Sequence, residues 1–248
     1  MEIHKPKPWH GWREFLKEYG IIVLGVLTAL AAEQTAEALR WRHEVADARE
    51  AVSVEFSGDI ALAEERTRIA PCLANRIQQI GAILGQAART GRLPPIGALG
   101  GPPDRDWSIP SWKSVLASQT AAHLPREELL NYGSLAGYGD LLVAHNAEEI
   151  HAWTELASIA GPGRPIDLSE IGRLHTALSQ AHLSAKLMTS NADQFARWIK
   201  RSGAASKGVW RDDPAPPGYV PSVCRPLGPA PSTYGQAPTG YELPGWKP

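Results

Sequence analysis

Few residues in this 248-residue chain stand at spacings that could do chemistry. Glu148 and His151 form one Glu-x-x-His unit, half of the pattern with which a four-helix bundle holds a di-iron centre. The sequence contains no second unit, so the pair is not read as a metal site. His175 and His182 stand seven apart, on one face of a helix, but no third ligand can be named for a zinc ion. Gly133-Ser134-Leu135-Ala136-Gly137 sets its serine off-centre and follows no strand, unlike a nucleophile elbow. The sequence has no P-loop and no dinucleotide fingerprint. It therefore offers no catalytic residue, metal ligand or cofactor site, and reads as a non-enzyme.

The two cysteines carry a different chemistry. Cys72 and Cys224 are the only pair in the chain, and in an oxidising compartment such a pair is expected to form one disulfide. It would pin a proline-rich tail to the helical body. Closing so long a loop is worth about 4–5 kcal/mol through the entropy removed from the unfolded chain.

Bulk composition narrows the class of partner. Lys and Arg number 25 against 26 Asp and Glu, so the basic excess that nucleic-acid binding requires is missing. A mean hydropathy of -0.24 excludes a multi-span transporter. Alanine and leucine dominate the middle of the chain, which favours helix over sheet.

The elements follow from these patterns. Tyr19 to Ala32 is the longest uncharged apolar run, and its 14 positions span about 21 Å against a hydrocarbon core of roughly 30 Å. Three readings fit such a run: a signal anchor, a cleaved secretory signal ending at Ala29-Leu30-Ala31, and the core helix of a soluble protein. The anchor is favoured. Glu2, Glu14 and Glu18 are foreign to a signal leader, and strong helix formers continue past Ala31. Phe15 and Leu16 lengthen the apolar face, Lys17 can snorkel, and Trp9, Trp12 and Tyr19 would share one headgroup level as an aromatic belt. Lys5, Lys7, Arg13 and Lys17 precede the run and no Lys or Arg follows before Arg40. That asymmetry sets residues 1–14 in the cytoplasm, 15–33 across a bacterial inner membrane and the rest in the periplasm.

From Glu33 a helix is expected to run to Pro71, with Val45, Ala48, Val52, Phe56, Ile60 and Ala63 as its buried stripe and Arg66 among its solvated residues. Pro71 would open a second helix through Leu84, and residues 91–110 read as a loop. Ser111 is expected to cap a short helix that turns Trp112, Val115 and Leu116 inward. Pro125 opens another that runs to about Ala160, through Leu129, Tyr132, Ala136, Val143, Ile150 and Trp153. Gly133, Gly137 and Gly139 within it suggest close packing. Asp167 caps the last helix, whose apolar residues recur from Leu168 to Ile199. The expected fold is all-α: a transmembrane helix continuing into an antiparallel bundle over 34–203. Residues 204–248, with ten prolines, form an extended arm lying partly on it.

The segment from Glu18 to Leu30, the Trp41 that follows and the later Ser111-Trp112 resemble uncharacterised bacterial single-pass membrane proteins of the domain-of-unknown-function type. The resemblance implies a membrane anchor and an extracytoplasmic helical region, and it implies no activity. Together these readings point to a protein-interaction or scaffolding module with the lipid bilayer and other envelope proteins as partners. They leave its oligomeric state open. A small-molecule sensing bundle is the alternative, with Trp112, Tyr132, Tyr138 and Trp153 as candidate pocket aromatics.

Overall fold

The expected break at Pro71 does not occur. In the computed structural model, which describes residues 11–205, 219–228 and 230, one helix, α1, spans Trp12–Thr90. Its 79 residues measure about 120 Å along the axis. A mid-helix proline removes one hydrogen bond and crowds the carbonyl four residues back. Pro71 and Thr67 both lie on the exposed face, where water can satisfy that carbonyl. Gly91, with φ 66°, ends the helix and returns its N–H to Ala87 O at 2.8 Å.

A two-residue strand β1 (Arg92–Leu93) pairs antiparallel with β2 (Arg164–Pro165). Too short for alternation, neither has a sequence signature. The expected loop between β1 and the next helix is irregular but folded inward, with Leu93, Ile96, Leu99, Trp107 and Ile109 buried. Helix α2 is Pro110–Ala117. Ser111 is not its cap: its backbone N–H and hydroxyl both donate to the Glu55 carboxylate of α1, at 3.1 and 2.5 Å. Trp112 and Val115 face inward as expected, whereas Leu116 is 55% exposed. A 3-10 turn (Gln119–His123) leads to α3, Arg126–Leu156, entered through Pro125 with Glu127 and Glu128 in its first turn. Leu142 packs into the core of α3 in place of the expected Val143, which is 37% exposed.

Helix α4, Leu168–Ser202, starts where Asp167 accepts the Glu170 N–H at 2.8 Å and ends at Gly203 with φ 69°. Its stripe from Ile171 to Ile199 is buried except at Leu178, which is half-buried with Ala177 taking the inward place, while Leu168 in the first turn is 80% exposed. α4 lies against both α1 and α3. On the other side, α2 and the irregular segment pack against both α1 and α3, whose side chains also meet directly at Phe56 and Tyr132. Gly139 makes that fit: a Cβ there would stand 2.5 Å from the Trp107 carbonyl oxygen, whereas nothing lies within 4 Å of one at Gly137. Close packing holds at Gly139 and not at Gly137. The fold is all-α, with the long N-terminal helix packing as one member of the bundle.

Two apolar clusters fill the interior. One gathers Val45 to Ala63 of α1 with Trp107, Trp112, Tyr132, Leu142, Met188 and Phe195. The other gathers Ile69 to Ala87 with Leu99, Trp153, Leu156, Leu174 and Ala181. Of the tail, Val223 is buried in this second cluster and Cys224 and Leu227 pack against it.

Candidate functional site

From Trp12 to Glu44 no position of α1 is a buried residue. Within it, an 18-residue window has a mean hydropathy of 1.7 and is 0% buried. Leu16, Tyr19, Ile21, Ile22, Leu24, Val26, Leu27 and Leu30 are all about half exposed or more, from 47% to 67%. Left in water, that unburied surface would forfeit on the order of 10 kcal/mol of hydrophobic transfer energy. The helix is long and apolar enough to cross a membrane. Within the apolar run, the Thr28 hydroxyl donates to the Leu24 carbonyl at 2.8 Å. A hydroxyl satisfied by its own helix carries little cost in lipid.

The aromatic residues expected to form a belt do not lie at one level. Trp9 lies outside the described residues. Trp12 and Tyr19 are seven residues apart in one helix, hence about 10 Å apart along its axis, and cannot share a level. They share a face instead: Phe15 stacks between them, its ring 5.6 Å from Trp12 and 6.1 Å from Tyr19. Lys17 is exposed beside them. At the other end, Trp41 stacks on His123 of the bundle at 3.9 Å. Val45, one turn further, is the first buried residue of α1.

Of the candidate pocket aromatics, Trp112, Tyr132 and Trp153 are core residues and Tyr138 is half-buried against the core. Trp112 and Phe56 flank Tyr132 at 5.8 and 5.9 Å, and Tyr138 stacks on Phe195 at 5.4 Å. Trp153 belongs to the other apolar cluster, so the four do not converge on one cavity. Burial together with the Glu128 carboxylate pushes the Tyr132 hydroxyl up to about 12, as befits a packed ring.

Three polar features lie inside the bundle beside the expected apolar stripes. Between the two apolar clusters, Arg66 makes a bidentate pair with Glu149 at 2.6 and 2.7 Å, and also donates to Ala185 O and Thr189 Oγ1. The two side chains are 5% and 0% exposed. Arg66 is thus no solvated residue, and Glu149 turns away from any metal role while Glu148 and His151 stay exposed. Asp59 is 3% exposed, and its Oδ2 has no hydrogen-bond partner. Burial first, then the charges of Glu55 and Asp106, push its carboxyl up to about 9. Arg76 is also buried, and burial lowers its pKa. It donates to the carbonyls of Val223 and Arg225.

That guanidinium and a disulfide fasten the tail. Cys72 and Cys224 are bonded, with their Cα atoms 4.9 Å apart, as expected. Gly100 lets the strap pass close, since a Cβ there would lie 2.5 Å from the Ser222 carbonyl oxygen. Tyr219 is half exposed; Trp210, Tyr234, Tyr241 and Trp246 lie outside the described residues.

On the bundle surface, α1 and α4 leave a groove of about 510 Å³ between Thr67, Ala70, Ala74 and Ile77 on one side and Ala185 and Lys186 on the other. His182 lies at its rim, and His175 elsewhere on the exposed surface. Among the described residues, no group of three or more His, Cys, Asp or Glu could hold a metal ion. Comparison of the chain with protein-family models, curated proteins and solved structures found no match to any of them.

Proposed function

We propose that the chain is a single-pass membrane-anchored module whose helical bundle binds other proteins of the bacterial envelope. One observation carries this reading: none of the first 33 positions of α1 is a buried residue, and the same helix then enters the bundle without a break. A continuous helix couples the bundle's position to the bilayer more stiffly than a flexible linker would. In this reading residues 1–14 are cytoplasmic and the bundle is periplasmic. The excess of Lys and Arg before the apolar run supports that orientation. So does the cystine, because disulfides persist in oxidising compartments. Partner binding is supported by exposed apolar side chains on two helices, Leu130 and Leu141 of α3 and Leu183 and Leu187 of α4.

Fractionation tests the anchor. The full-length chain is expected in the membrane pellet after a carbonate wash. Ile22→Arg with Leu27→Arg, at roughly 2.5–3.5 kcal/mol each for insertion, is expected to release it. Uncleaved natural chain in the detergent-free supernatant would overturn the reading. Reporter fusions at each end test orientation. Photocrosslinking from Leu183 and Leu141 in intact cells tests partner binding, and the absence of any protein adduct at both would refute it.

A further inference from the structure

We propose that the groove between α1 and α4 is a binding site for a small amphipathic anion, an aryl-alkyl or acyl body carrying one carboxylate. Protein interiors are close-packed, and here the facing residues are too small to fill the space between two adjoining helices. Ala70, Ala74 and Ala185 leave about 510 Å³ above a floor that includes the buried Leu73 and Ile77. That volume lies within the roughly 300–1,000 Å³ typical of small-molecule sites, which are mostly apolar with a few placed polar groups. From Thr67 to Ile77 the groove follows ten residues of α1, about 15 Å, so it suits an extended apolar body.

The charge of the lining selects the head group. Asp193 is neutralised by Arg197, one turn along α4. Lys186 has no acidic partner among the described residues, and His182, one turn before it, adds a polar imidazole to the same rim. With Arg197 outside the lining paired to Asp193, Lys186 is left as the uncompensated positive charge beside an apolar floor. A carboxylate at Lys186 with its hydrocarbon on Leu73 and Ile77 satisfies both. The groove lies about 50 Å further along α1 than the apolar run, so this inference does not depend on the membrane reading.

The test is calorimetric titration of 4-phenylbutyrate, and of its neutral analogue 4-phenylbutanol, into the full chain held in nanodiscs, with empty discs as the reference. Saturable binding of the carboxylate is expected with a Kd on the order of 0.1 mM. Lys186→Gln, on the exposed rim, is expected to weaken it about tenfold, the scale of one charge-assisted hydrogen bond, and to leave the alcohol unaffected. Ala74→Trp fills the groove and is expected to abolish binding of both. Absence of saturable heat beyond the empty discs up to about 5 mM would overturn the proposal, as would equal carboxylate affinity in the natural chain and Lys186→Gln. If the natural chain takes no carboxylate and Ala74→Trp changes its oligomeric mass, a second copy is the occupant and the proposal fails.

Discussion

Replacing Asp59 with Asn changes one proton and almost no volume, at a side chain 3% exposed whose Oδ2 has no partner. Its carboxyl titrates near the ordinary 3.8 in the unfolded chain and is pushed up to about 9 in the folded one, chiefly by burial. Between about pH 4 and 9 folding must therefore take up a proton that the unfolded chain does not hold. A raised acid pKa contributes most below pH 4, and stability falls as pH rises, by up to about 1.4 kcal/mol per unit, levelling off above pH 9. At pH 7 this amounts to a ceiling of about 4 kcal/mol. Asn mimics the neutral carboxyl and binds no proton. Asp59→Asn is expected to match the natural chain at pH 4 and to exceed its stability by about 2–4 kcal/mol at pH 7.5. Urea unfolding followed by far-UV circular dichroism, in one detergent at pH 4, 6, 7.5 and 9, measures the difference. A gap that does not widen with pH would refute the reasoning, as would a variant less stable at pH 7.5, because either means that Asp59 is ionised and paired.

Other perturbations follow from the same interior. Glu149→Ala leaves the Arg66 guanidinium buried and unpaired and is expected to cost about 3–5 kcal/mol, whereas Arg66→Met with Glu149→Leu recovers most of that loss; chemical denaturation of the three chains checks it. Cys72→Ser opens a loop of 152 residues and is expected to cost up to about 5 kcal/mol, read as a fall in melting temperature that reducing agent reproduces in the natural chain. Gly139→Ala drives a Cβ toward the Trp107 carbonyl and is expected to destabilise by about 1–3 kcal/mol. Gly137→Ala, facing open space on the same helix, is expected to stabilise by about 0.5–1 kcal/mol. Equal effects of the two alanines would remove the case for tight packing at Gly139.

Much of the architecture is legible in local pattern. The 3-4 spacing from Val45 to Ala63 and from Ile171 to Ile199 finds the core face of α1 and α4, because burial on one side of a helix imposes that period. Asp167 and Gly203 mark the ends of α4 through capping chemistry confined to a few residues. Pro71 misleads for a physical reason: proline disfavours a helix interior by about 3 kcal/mol, and the long helix packing on both sides of it outweighs that. Leu116, Val143 and Leu168 are misplaced because a one-residue rotation separates an inward position from an outward one at a helix edge. The missed polar interior did leave a signal. Asp59 sits three residues after Phe56, Arg66 three after Ala63, and Arg76 three after Leu73, so each occupies a core-facing step of the stripe. A charged residue at such a step needs a partner or a shifted pKa, and the sequence shows the need without showing what meets it.

Composition and local pattern are enough for the helical class, the apolar run near the start, the pairing of the two cysteines and the capped ends of α4. Each of these rests on composition or on interactions within a few residues, apart from the cystine, for which only one pairing exists. It took the packed bundle to bring Glu149 to Arg66, to bury Trp112, Tyr132 and Trp153 with Tyr138 half-buried at the core's edge, and to leave a groove between α1 and α4. Those outcomes depend on which faces of distant helices meet, and at what depth. The burial that sets them is shared among residues tens of positions apart, so no local period records it.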